Sequence, residues 1–153
     1  MSESSVLDEV RAGVRETGQY LLSHHERADW DRCYAVGARW RDRPVRLCAR
    51  CSGIYPGILA GALFAATHAV PVSLLFVALL PVPTVAERAL EAVTSFEGSN
   101  RLRTATGALL GSGYGIGLVG LTRPAMRLGV LAVGAAYVAV AVALLSLERI
   151  GDA

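Results

Sequence analysis

Residues 51–86, CSGIYPGILAGALFAATHAVPVSLLFVALLPVPTVA, contain no Asp, Glu, Lys or Arg. A helix that crosses the hydrocarbon core of a bilayer needs about 20 predominantly apolar residues. The stretch therefore offers one full crossing and most of a second, with His68, Pro71 and Ser73 marking a bend between them. Two further charge-free runs follow, 104–122 and 128–147, each close to the length of one crossing. A buried helix of a soluble bundle meets the same test of length, but three such runs in 153 residues exceed what one small soluble core uses. The fold class read from this pattern is all-α: a polytopic integral membrane helical bundle with four transmembrane helices. The spans are placed at about 54–69, 72–89, 104–121 and 126–147, inside a membrane domain of 53–149. Pro56 is expected in the first turn of the first span, where its missing amide hydrogen costs little. Pro81 and Pro83 each remove a backbone donor and are expected to kink or break the second, which would otherwise be a re-entrant or interfacial piece.

Charge sits mostly outside those runs. All fifteen basic residues are arginine, and nine of them lie at or before Arg50 together with eight of the thirteen acids. A segment so mixed in sign is a poor nucleic-acid surface, and no nucleic-acid partner is expected. Residues 1–23 carry acids from Glu3 onward and lack the apolar core of a signal peptide. Val6, Leu7, Val10, Val14, Leu21 and Leu22 recur at near-helical spacing, which predicts an amphipathic helix over 5–23. Arg39, Arg41, Arg43, Arg46 and Arg50 precede the first span, and Arg88, Arg101 and Arg103 lie between the second and third. The positive-inside tendency then puts both termini in the cytoplasm of a multi-pass cell-membrane protein, with Arg123 and Arg127 opposing it weakly.

Between the amphipathic segment and the first span stand His24, His25, Cys33, Cys48 and Cys51. Asp42-Arg43-Pro44 has turn chemistry, so a small hairpin can bring Cys33 near Cys48 and Cys51. Cys48-x-x-Cys51 has the bite of tetrahedral zinc, with Cys33 as a third thiolate and His24 or His25 as the fourth ligand. Plain packing thiols are the commoner reading of such a pair, the metal site comes next, and a redox pair is the third. The redox reading requires a thiolate stabilised at a helix N-terminus, and no thioredoxin-like context surrounds this pair. Residues 1–52 thus read as a cytoplasmic N-terminal segment with a Cys/His cluster and zinc as the candidate cofactor.

Glycines have a clearer meaning. Gly53, Gly57 and Gly61 recur every four residues, as do Gly107, Gly111 and Gly115. Small residues at that period let membrane helices approach closely. A pair formed by the first and third spans is the leading expectation, and self-association through the same stripes is the other. The polar candidates are Glu87, Arg88, Glu91, Glu97, Ser99, Asn100, Arg101 and Arg103, because ionisable groups beside membrane helices tend to face a bundle interior or a polar path, although an internal salt bridge or a plain loop is the commoner outcome. Glu97, Ser99, Asn100 and Arg103 form the candidate functional loop.

Two stretches carry a resemblance: Cys48-Ala-Arg-Cys-Ser-Gly-Ile-Tyr-Pro-Gly, and later Glu97-Gly-Ser-Asn-Arg-Leu-Arg-Thr-Ala-Thr-Gly. Over about residues 24 to 120 the chain resembles the prokaryotic membrane family catalogued as domain of unknown function 2085. The resemblance implies an upstream Cys/His segment (His24, His25, Cys33) and a motif opening the membrane helix (Cys48, Arg50, Cys51, Gly53, Tyr55, Gly57). It also implies an acid-Ser-Asn-x-x-Arg loop feeding a glycine-rich helix (Glu97, Ser99, Asn100, Arg103, Gly107). Glu87-Arg88 departs from the aspartate-glycine that commonly starts the family's polar loop. What the likeness implies is fold and topology, not an activity.

Two functions fit these residues. One is a membrane protein that moves a small solute or scaffolds a partner, its Cys/His segment pinned by metal or packing. The other is a membrane-embedded enzyme whose cytoplasmic-side site joins the Cys/His segment to Glu97, Asn100 and Arg103. Neither Ser-His-Asp nor HExxH occurs, and Gly111-Ser-Gly-Tyr-Gly lacks the lysine of a phosphate loop.

Overall fold

A computed structural model describes residues 27–36, 45–69 and 71–151. The amphipathic helix expected over 5–23, His24, His25 and the Asp42-Arg43-Pro44 turn lie outside those residues. A 3-10 turn, Arg27–Arg32, leads into strand β1, Cys33–Val36, which pairs antiparallel with β2, Val45–Cys48. The register sets Cys33 opposite Cys48 and Val36 opposite Val45, so the expected juxtaposition of cysteines is present. Trp30 receives the Arg46 guanidinium over its ring, 4.6 Å from the centroid, which ties the 3-10 turn to β2.

Strand β2 runs directly into helix α1, Ala49–Ala66. The helix therefore begins earlier than the expected 54, and Cys51 is in its first turn. Pro56 is a correction: it sits inside the helix rather than at its start. Having no amide hydrogen, it leaves the Ser52 carbonyl without its usual helical partner. The helix ends at Thr67, and His68 follows with φ 59°, a left-handed conformation unusual for a residue with a Cβ.

The expected second helix is two helices. α2, Leu74–Leu79, starts under the Ser73 hydroxyl, which accepts the Leu75 N–H at 3.2 Å. α3 spans Val82–Val93, and the break falls at Leu80–Pro81. Pro81 turns the chain, and its carbonyl accepts the first amides of α3, from Thr84 and Val85. Pro83 then occupies the first turn, where a proline needs no donor. α4, Asn100–Leu121, begins four residues before the expected 104, because the Ser99 hydroxyl caps it by accepting the Leu102 N–H. α5, Pro124–Gly151, completes the described chain. Among the described residues, two helices are long and apolar enough to cross a membrane by length and composition, over 100–121 and 124–146.

The closest packing joins α1 to α4, the pair expected from the glycine period. A Cβ added at Gly53, Gly57 or Gly61 would lie under 3.0 Å from backbone oxygens of Thr104, Ala108 or Ser112. In return, a Cβ at Gly107, Gly111 or Gly115 would meet the carbonyl oxygens of Arg50, Ile54 or Ile58 within the same limit. The two backbones thus touch along their length, where dispersion and weak Cα–H···O contacts act in place of interdigitated side chains. A small apolar centre forms where Ala65, Val77 and Ile116 meet, flanked by Val72, Leu80, Val119 and Val133.

Candidate functional site

The α1–α4 seam holds Arg50, at the start of α1, directly against Gly107 of α4. Close backbone approach brings Arg50 on α1 toward Glu87 on α3, and their charges lie 3.4 Å apart. The Glu87 side chain is only 2% exposed. The Thr106 hydroxyl on α4 donates to Glu87 Oε2 at 2.5 Å, while the Thr84 hydroxyl donates to the Thr106 carbonyl at 2.7 Å. Glu87 Oε1 and Arg50 Nε are buried with no hydrogen-bond partner. A buried carboxylate oxygen left unpaired is costly, and natural structures hold few such groups.

One turn along α3, Glu91 binds two arginines. Arg103 Nη2 donates to Glu91 Oε1 at 3.0 Å, and Arg88 Nη1 donates to Glu91 Oε2 at 3.1 Å. Burial alone would raise the Glu91 carboxyl. The hydrogen bond and charge of Arg103, then Arg88 and Arg50, outweigh burial and hold it below its ordinary value of 4.5. Gly98, in the loop before α4, presents its Cα to both carboxylates: an added Cβ would sit 3.0 Å from Glu87 Oε1 and 3.2 Å from Glu91 Oε1.

The candidate loop divides by role. Arg103 is buried in this network, and Nη1 also reaches Asn100 Oδ1 at 3.4 Å. Asn100 Nδ2 donates to the Asp31 carbonyl at 2.8 Å and so joins α4 to the N-terminal segment. Ser99 is the helix cap. Glu97 is exposed, and with Asp31, Arg32, Ser99, Asn100 and Arg103 it lines a polar hollow of about 230 Å³. Arg101 is exposed. The loop expected from sequence therefore gathers around one hollow, with Arg103 reaching from it to the carboxylates behind.

Thr104 is a junction that sequence reasoning missed. Its hydroxyl bonds the Tyr34 hydroxyl at 3.0 Å and donates toward the carbonyls of Ala49 and Asn100, each at 2.9 Å. It ties the strand pair to both glycine-packed helices. Thr84, Thr104 and Thr106 were all overlooked, and the legible signal was a hydroxyl within or beside an otherwise apolar helix.

The cysteines are a different matter. Cys33 and Cys48 are buried and Cys51 partly so, all as thiols. Burial, then the neighbouring Cys48, pushes the Cys51 thiol up to about 11, so at neutral pH it is protonated and a poor nucleophile. A thiol held protonated by burial does not favour the redox reading at Cys51. Among the described residues, no group of three or more His, Cys, Asp or Glu is arranged to hold a metal ion. The described residues thus do not by themselves make the expected zinc site, and His24 and His25 lie outside them.

Apolar helices long enough to span a bilayer among the described residues, with the ion pairs of Arg50, Glu87, Glu91 and Arg103 near the start of α4, are the features of a small membrane protein. Residues 38–117 match the family model described as "Predicted membrane protein (DUF2085)", and the chain belongs to that family. No curated protein and no solved structure matches the chain.

Proposed function

We propose that this is a four-span protein of the cell membrane with cytoplasmic termini, which binds a small polar solute and passes it with a proton at the Arg50–Glu87–Glu91–Arg103 cluster. Glu87 carries the reading. Its carboxylate is almost wholly buried beside membrane-length apolar helices, one oxygen is unpartnered, and Arg50 lies 3.4 Å from the other. Intramembrane carboxylates of this kind mark proton and solute pathways. The facing charges are Arg50 from α1, Arg88 and Glu91 from α3, and Arg103 from α4, with the Thr106 hydroxyl also on α4. The hollow beside Arg103 opens toward these charges and admits the solute to them. The enzyme alternative uses the same loop, but the exposed Glu97 and the protonated Cys51 offer no base and nucleophile pair.

Protein reconstituted in liposomes on a solid-supported membrane tests this directly. A step in pH should give a transient charge displacement in the wild type, absent in Glu87→Gln and in protein-free liposomes. A wild-type signal equal to that of empty liposomes sinks the proposal. Metal analysis of the purified chain settles the accompanying zinc reading of Cys33, Cys48, Cys51 and His24 or His25. One zinc per chain, lost in a Cys48→Ser/Cys51→Ser variant, supports it; a metal-free protein leaves packed thiols.

A further inference from the structure

The polar hollow before α4 has a floor and a rim of different chemistry. Its floor is Arg103, 7% exposed, with the buried Gly98 beside it. Its rim carries the exposed acids Asp31 and Glu97, with the half-buried Arg32 between the same walls. A guanidinium has five N–H donors. Arg103 gives one to Glu91 and one to Asn100, so donors remain for a ligand in the hollow. Among the described residues, the Asp31 and Glu97 carboxylates are in no ion pair. Two carboxylates against one guanidinium leave the rim acidic whatever Arg32 itself binds.

A ligand that matches both surfaces carries an anionic acceptor for the floor and a cationic donor for the rim. Arg and carboxylate make the strong, geometrically specific pair of this kind. Size narrows the class further. The hollow measures about 230 Å³, below the roughly 300–1,000 Å³ of pockets that take drug-sized molecules. Gly98 also joins the hollow to the buried cluster: a Cβ added there would lie 3.0 Å from the unpartnered Glu87 Oε1. A buried oxygen that lacks a donor is therefore one glycine away from a ligand that brings N–H groups.

We propose that this hollow binds a small zwitterionic amino acid, its carboxylate on Arg103 and its ammonium at Asp31 and Glu97. This names the class of solute for the Glu87 reading, and rests on that reading for passage but not for binding. Isothermal titration calorimetry of the purified full chain in detergent tests it. Glycine, alanine and serine are the zwitterions, propionate is the anion alone and ethylamine the cation alone. At least one amino acid should bind saturably, one per chain. Propionate and ethylamine should bind roughly tenfold or more weakly, as the loss of a charged hydrogen-bond partner entails. Asp31→Asn/Glu97→Gln alters exposed side chains and should weaken amino-acid binding by a similar factor while keeping the helical circular dichroism of the wild type. Where the double variant fails to fold, Glu97→Gln alone decides. No amino-acid binding in the wild type, equal binding of propionate or ethylamine, or undiminished binding in the variant would each overturn the proposal. A pH-step charge displacement without amino-acid binding would overturn the zwitterion and leave the proton reading of Glu87 standing; binding without displacement would do the reverse.

Discussion

A methyl group added at Gly111, where α4 meets α1, would lie under 3.0 Å from the Ile54 carbonyl oxygen, whereas one added at Gly134 on α5 would meet nothing within 4 Å. Both glycines lie in apolar helices of membrane length, and only one is closed upon by a neighbour. The α1–α4 seam is backbone against backbone, so neither side can yield by rotating a side chain. α5 instead meets α4 through side chains such as Val130 against Gly117 and Gly120, and it keeps an open flank. The tight seam holds the charged cluster in place, and the loose one leaves room beside α5. Rigidity and vacancy in this bundle come from the two faces of the same helix.

The largest effect should come from breaking the tight seam. Gly111→Val forces α1 and α4 apart, so its cost should reach or exceed the upper end of the roughly 1–3 kcal/mol typical of overpacking. Loss of a cooperative melt in detergent would register it; a melt like that of the wild type would mean that the helices separate freely. Next comes the cluster that the seam positions. Thr106→Val removes the hydroxyl that donates to Glu87 at 2.5 Å and should cost about 1.5–3 kcal/mol, read from chemical denaturation in micelles.

Acid should act on the same cluster through Glu91. Its folded carboxyl titrates below 4.5, so the carboxylate contributes its full stabilisation above that value. The contribution is lost as pH falls through 4.5 toward the lower folded value. Unfolding midpoints of the wild type should therefore approach those of Glu91→Gln on acidification, and parallel curves would exclude Glu91 as the linked group. A smaller change, in the opposite direction, is expected at His68: replacing this left-handed residue by glycine should stabilise by about 0.5 kcal/mol. Gly134→Leu should be smallest, within about 0.5 kcal/mol of zero, because the side chain enters open space. A large loss there would show that the two faces of α4 are equally closed.

Much of this architecture was legible because it depends on local pattern. Charge-free runs located the apolar helices, the four-residue glycine period paired α1 with α4, and the two prolines located the break between α2 and α3. The expected meeting of Cys33 and Cys48 is present in the register of β1 and β2. The helix starts were less accurate, because α1 grows directly from β2 and Ser99 caps α4 earlier than composition suggests. Nor did spacing reveal that Arg103 turns inward to Glu91 while Arg101 faces out, since both belong to the same polar loop.

By itself, then, the sequence determined a membrane-type helical chain, its glycine-paired helices and its membership of a loop-plus-helix family, because periodicity and apolar length are properties of neighbouring residues. Only the tertiary structure decided that Arg50, Glu87, Glu91, Arg103 and Thr106 form one buried network. Those groups come from three helices, and their distances follow from how closely two glycine-faced backbones can approach.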